Sequence, residues 1–126
     1  MGRIVKEVVI GGVARNALFD TGANRSYIVR RAVPKRTERH PVKPAIRVGM
    51  GGQHHRLSRV CLVEGTIEGL PVSLKAYPVT EIGHADGKEL DLLIGAPVME
   101  EYEIRLDPAK STLDLTALRR REFVDF

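Results

Sequence analysis

The chain has 126 residues, 43% of them hydrophobic and 29% charged, a length that suits one domain of roughly 100–150 residues with a core of its own. Its only cysteine is Cys61, which excludes a disulfide-stapled scaffold. No run approaches the ~18 apolar residues of a membrane span, and the start Met1-Gly2-Arg3-Ile4-Val5-Lys6 lacks a signal-peptide hydrophobic region, so a soluble cytoplasmic protein with no membrane partner is expected.

Lys and Arg number 20 against 16 Asp and Glu, a net charge of +4. The excess is concentrated in Arg30 to Arg47 and in Arg119-Arg120-Arg121. Without interleaved aromatics or a nucleic-acid motif, both stretches read as solvated loop and tail, and no nucleic-acid partner is expected.

In chain order, Ile4 to Ile10 and Val13 to Phe19 are two apolar or β-branched runs joined by Gly11-Gly12, a β-hairpin signal. The second run leads into Asp20-Thr21-Gly22-Ala23, where glycine supplies a tight loop and Asp and Thr supply side-chain hydrogen bonds. Asp20 is thereby placed at a strand end. After a short apolar run at Tyr27-Ile28-Val29, the segment Arg30 to Pro44 holds prolines and cations without periodicity and reads as an irregular connection. Ala45 to Val48, Gly49-Met50-Gly51-Gly52-Gln53 and His54 to Val60 read as a strand, a glycine-rich tip and a returning strand. Val60 to Ile67, Glu68-Gly69 and Leu70 to Val79 form another hairpin. Glu81 to Glu89 is a polar loop, Leu90 to Ile94 a short buried strand, and Gly95-Ala96-Pro97 opens a short helix, Pro being tolerated in a first turn. Glu103 to Leu106 and Ser111 to Leu115 make a last hairpin, and Thr116 to Phe126 is a tail whose end alternates like a strand.

A loose internal echo aligns Ile10 to Val13 and then Asp20 to Ala23 with Ile67 to Leu70 and then Leu93 to Ala96. Leu93 stands where the first copy has Asp20. The chain therefore carries a single acidic loop.

Other chemistries fit less well. His54 and His55 are adjacent, so on a strand they point to opposite faces, and with His40 and His84 they complete no ligand spacing; no metal is expected. The glycines at 49, 51 and 52 precede no Lys-Ser/Thr and open no helix, which argues against a phosphate loop. Cys61 lies in an apolar run as a small hydrophobe.

Asp-Thr-Gly alone should occur by chance in about 2% of chains this long at average amino-acid usage, and is suggestive only. Its frame carries more: Leu18-Phe19-Asp20-Thr21-Gly22-Ala23, then Gly49-Met50-Gly51-Gly52, then Leu92-Leu93-Ile94-Gly95. With these pieces the chain resembles the retropepsin-like aspartic proteases from Val8 to about Leu115. The resemblance implies an all-β fold over residues 1–126: a closed acid-protease β-barrel with a flap hairpin and one short C-terminal helix. It further implies a cofactor-free aspartic endopeptidase acting on extended polypeptides as a homodimer, each chain giving one Asp. Two carboxylates a few ångströms apart do not both ionise readily, so the pair shares a proton and can activate water while protonating the peptide carbonyl. Asp20 would be the acid/base, Thr21 the hydroxyl bracing the two loops across the dimer, and Gly22 a backbone contact. Substrate contacts would come from Ala23, Asn24, Val48, Gly49, Met50, Gly51, Gly52 and Ile94, with Ile28 and Val79 as further pocket walls.

Two departures from the viral pattern stand together. Asn24 and Ala96 occupy the positions of an acidic residue and an arginine that pair in viral members, which points nearer to the cellular and prokaryotic relatives. The tail from Glu122 to Phe126 and Ile4-Val5 are candidates for a dimer interface, and a catalytically silent peptide-binding or dimerisation module is the alternative function.

Overall fold

The computed structural model describes residues 2–126. Eleven strands dominate. The first two, β1 (Arg3–Ile10) and β2 (Val13–Asp20), form the expected hairpin, in register from Arg3 opposite Asp20 to Ile10 opposite Val13. Gly11 and Gly12 turn it with φ of 57° and 81°, left-handed values that fit a two-residue hairpin turn and cost glycine nothing.

Strand β3 (Tyr27–Val29) is wholly buried, and a single 3-10 turn, Arg30–Ala32, follows it. The next two strands, β4 (His40–Met50) and β5 (Gln53–Ile67), are longer than their sequences suggested. Residues 40–44, expected to be irregular, belong to β4, with a register shift between Pro41 and Ile46. The sequence misled because prolines lack the N–H a ladder needs. Since β4 pairs with β5 alone, its other side is a free edge, where proline is tolerated. Likewise the run on either side of Val60 is not two strands but one of 15 residues.

Strand β5 turns at Glu68-Gly69 into β6 (Leu70–Val79), in register from Cys61 opposite Ala76 to Ile67 opposite Leu70. The polar loop contains a two-residue ladder, β7 (His84–Ala85) with β8 (Lys88–Glu89). Then come β9 (Leu92–Ile94), the expected short helix α1 (Ala96–Glu101) with Pro97 in its first turn, and the hairpin of β10 (Arg105–Asp107) with β11 (Thr112–Asp114). A second short helix, α2 (Thr116–Arg120), lies where the sequence showed only tail. Beyond it Glu122 to Phe126 has no regular structure. None of the helices among the described residues is long and apolar enough to cross a membrane.

Six strands close a ring in the order β1-β2-β9-β3-β6-β5, sealed where Val9 and Ile10 of β1 pair with Thr66 and Gly65 of β5. Strand β4 continues outward from β5 as one arm of the flap. The two halves of the echoed sequence meet inside the ring: β2 and β9 run parallel, Leu18 beside Leu93 and Phe19 beside Ile94.

Alternation along these strands divides the apolar side chains into two clusters. Phe19, Ile28, Ile94, Val98, Leu118 and their neighbours form the main core. Leu18, Tyr27, Leu57, Leu90 and Leu93 form the second, against which Val48, Met50 and Ile82 pack. The second cluster supports the site.

Candidate active site

Asp20 is the last residue of β2, and its side chain is 20% exposed. Three interactions fix it. The Gly22 N–H donates to its Oδ1 at 2.8 Å, the Ala23 N–H donates to its carbonyl at 3.2 Å, and the Arg3 Nε lies 3.5 Å from its Oδ2. The first contact needs the chain to fold back within two residues, which Thr21-Gly22 accomplishes by a side-chain-to-backbone turn. The Thr21 hydroxyl, implied to brace a partner chain, is engaged here within its own: it accepts from the Gly2 N–H at 2.8 Å and donates to the Gly2 carbonyl at 3.3 Å.

The loop from Asp20 to Ser26 rests on the end of β9. The buried Ser26 Oγ accepts from the Gly95 N–H at 2.9 Å, and the Ala96 N–H donates to the Ala23 carbonyl at 2.8 Å. The Tyr77 N–H donates to the Ser26 carbonyl at 3.0 Å, tying the loop to β6 as well. Gly95 permits this approach: a Cβ there would stand 2.5 Å from the Arg25 carbonyl oxygen and 2.8 Å from that of Ala23. At Asn24 and Ala96, where the resemblance would have placed an ionic pair, backbone and serine bonds make the connection.

A groove of about 720 Å³ opens above Asp20. Gly22, Ala23 and Asn24 line it below, Val48, Gly49, Met50 and Gly51 on the flap line it above, and Leu18, Leu90 and Leu93 give it an apolar wall. Gly51 and Gly52 turn the flap with φ of 60° and 79°, and Gly52 is not among the lining residues. Tyr27 also lines the groove, though it is largely buried. Burial pushes its phenol up, against the downward pull of the neighbouring Arg25 guanidinium.

The structure brings together most of the expected site residues and moves some of the walls. Ile94 and Ile28 are fully buried in the main core, and Val79 is buried in the second cluster without reaching the groove. Leu93 lines the groove instead of Ile94, with Leu18 from the neighbouring strand. Successive residues of β9 face opposite sides of the sheet, so a one-residue phase decides which of them meets a ligand. In Leu92-Leu93-Ile94 all three are buried, and no polar partner marks the phase. Sequence reasoning also missed Arg3, Arg25, Arg47 and His84, which line the groove; the single signal available was their excess positive charge.

The interface candidates are placed as follows. Ile4 and Val5 pair with Phe19 and Leu18 of their own chain. In the tail, Phe123 packs edge-on against Tyr102 with ring centroids 6.0 Å apart, and the Val124 N–H donates to Glu103 Oε2 at 2.6 Å. The Val124 and Phe126 side chains are exposed.

A ring of strands, a glycine-tipped flap and one buttressed Asp-Thr-Gly loop facing the groove between them define the aspartic-protease class of fold. The retroviral aspartyl protease family matches residues 3–107, and the chain belongs to that family. Among solved structures it is similar to the retroviral protease-like domain of Ddi1 from Leishmania major, at 16% identity and a TM-score of 0.58, over 92% of this chain and 90% of that one. It is also similar to the EIAV protease complexed with the inhibitor HBY-793, at 17% identity and a TM-score of 0.59, over 84% and 93%. No curated protein sequence matches it significantly.

Proposed function

We propose that this chain is an aspartic endopeptidase that works as a homodimer, Asp20 of each copy supplying half of a catalytic dyad. The observation that carries this reading is the single Asp20 carboxylate, held by the Gly22 N–H on the floor of a groove under a glycine-tipped flap. One carboxylate supplies one of the two proton-transfer roles that amide hydrolysis by activated water needs. The single acidic loop therefore requires a second copy. The groove suits an extended peptide: flap backbone can bond to a strand-like substrate while Leu18, Leu90 and Leu93 receive apolar side chains.

The test is cleavage of casein or a peptide library from pH 3 to 8, with wild type and Asp20→Asn compared over a range of protein concentrations. The expected result is cleavage by wild type, a loss of about 10²–10⁴-fold in the variant, and specific activity that rises with concentration as dimer forms. Wild type that is folded, dimeric and as inactive as the variant would refute the assignment. The second reading, a silent peptide-binding or dimerisation module, draws on one feature, the Arg3 guanidinium that occupies Asp20 Oδ2 in the single chain.

A further inference from the structure

The charge lining the groove is unbalanced. Arg3, Arg25, Arg47 and His84 face it against one carboxylate, that of Asp20. Arg3 is matched to Asp20 at 3.5 Å, whereas among the described residues neither Arg25 nor Arg47 has a carboxylate within salt-bridge distance. The two unmatched guanidinium groups come from opposite sides. Arg25 belongs to the loop that begins at Asp20 and forms the floor; Arg47 belongs to β4, in the flap, where its cross-strand neighbour is Arg56. Arginine holds its charge throughout the accessible pH range and presents a planar fork that matches a carboxylate.

We infer that the groove selects extended peptides carrying Asp or Glu beside an apolar centre, with Arg25 and Arg47 receiving the acidic side chains. This rests on the proposed protease reading for the reaction and for the second copy, and the paired arrangement would present the same two arginines at both ends of the substrate. The apolar centre follows from Leu18, Leu90 and Leu93 near Asp20, and the acidic flanks follow from the uncompensated cations. A polyanionic nucleic acid fits less well: Asp20 repels phosphates at the floor, and the one aromatic in the lining, Tyr27, is only 6% exposed, leaving no exposed ring for bases to stack on.

The test uses three peptides with the same apolar centre and flanks of Glu, Gln or Lys, together with their non-cleavable hydroxyethylene analogues. Wild type should cut the Glu peptide about tenfold better in kcat/KM than the Gln peptide and cut the Lys peptide least, a ratio expected of one or two charge-assisted contacts. The preference should shrink in 1 M salt, where the screening length falls to about 3 Å. In the Arg25→Gln/Arg47→Gln variant the Glu-to-Gln ratio should fall towards one, and Arg47→Glu alone, a change on an exposed strand, should lower it. Equal cleavage of all three peptides by wild type overturns the inference and leaves the protease reading standing. If wild type cuts none of them, tighter binding of the Glu analogue sustains the acidic-peptide groove while the protease reading fails, and equal binding of the analogues overturns both. Competition by an RNA or DNA oligonucleotide stronger than that of the Glu analogue also overturns the inference, in favour of a nucleic-acid groove.

Discussion

Replacing Gly95 by alanine tests whether the Asp20 loop depends on the close approach at the end of β9. The added Cβ would meet two backbone oxygens, at 2.5 Å from Arg25 and 2.8 Å from Ala23, and neither belongs to a side chain that could rotate away. To restore ordinary contact the Arg25 carbonyl must retreat by roughly 0.9 Å. That movement stretches the buried Gly95 N–H to Ser26 Oγ bond of 2.9 Å and the Ala96 N–H to Ala23 carbonyl bond of 2.8 Å. Weakening two such bonds, one of them buried, and overpacking a tight contact cost about 2–4 kcal/mol together. For a domain of this size that corresponds to a fall in Tm of roughly 6–16 °C. The measurement is thermal and urea unfolding followed by circular dichroism at one fixed protein concentration, with peptide cleavage assayed on the same samples. Gly49→Ala is the control: a Cβ there meets nothing within 4 Å and its φ lies outside the left-handed region, so its stability should change by less than about 0.5 kcal/mol. If Gly95→Ala unfolds within 2 °C of wild type, the loop does not need the close approach, and the account of how Asp20 is positioned is wrong.

Two further outcomes follow from titrating groups. The Asp114 carboxylate is held below the usual range first by the Thr116 hydroxyl, at 2.7 Å from its Oδ1, and then by the Thr116 N–H at 3.0 Å; its folded pKa is depressed, so this cap stabilises α2 above the ordinary aspartate pKa and is lost as pH falls through the folded value. NMR titration of the Asp114 side chain should place its midpoint below 3.8, and Thr116→Ala should raise it. A midpoint that ignores Thr116→Ala would refute the cap. Cys61 is 1% exposed, and burial pushes its thiol up, so a thiol reagent at pH 8 should label the folded protein no faster than global unfolding permits. Rapid labelling of folded protein would contradict the packing of β5 against β6.

Much of the fold was legible because its turns are written in glycine. Gly11-Gly12, Gly51-Gly52 and Glu68-Gly69 all carry positive φ, and each marks a hairpin whose flanking residues alternate or run apolar. The acidic loop was legible from its side chains instead, since the Asp20 carboxylate takes the Gly22 N–H and the Thr21 hydroxyl engages Gly2; Gly22 itself is not among the glycines with positive φ. What was hidden depends on neighbours far away in sequence. Pro41 reads as a breaker, yet it sits on a strand with a free edge where no ladder bond is missing. Helix α2 has an apolar N-cap residue, Leu115, with no side-chain bond of its own, and only five residues, too few for a periodic stripe. Arg25 and Arg47 lie 22 positions apart, and nothing local indicates that the floor of the groove and its roof bring their charges together.

The topology itself separates a fixed floor from a freer roof. Strand β2, which ends in Asp20, is paired on both sides, to β1 and to β9, and its last apolar residues are buried in both core clusters. Displacing Asp20 therefore means disturbing Phe19, which is fully buried; removing a buried phenylalanine side chain costs about 3–5 kcal/mol. The distal part of β4 has one partner strand, three glycines stand at or beside the flap tip, and Gly51 to His54 at the tip are all exposed. Segments with so few buried contacts open at a small fraction of the global unfolding free energy. The flap can thus be displaced alone, while the Asp20 carboxylate keeps the geometry that the Gly22 N–H and the Ser26–Gly95 contact impose on it. In this arrangement movement of the flap changes the groove's roof, with Arg47 on it, and leaves the Asp20 carboxylate where β2 and β9 hold it.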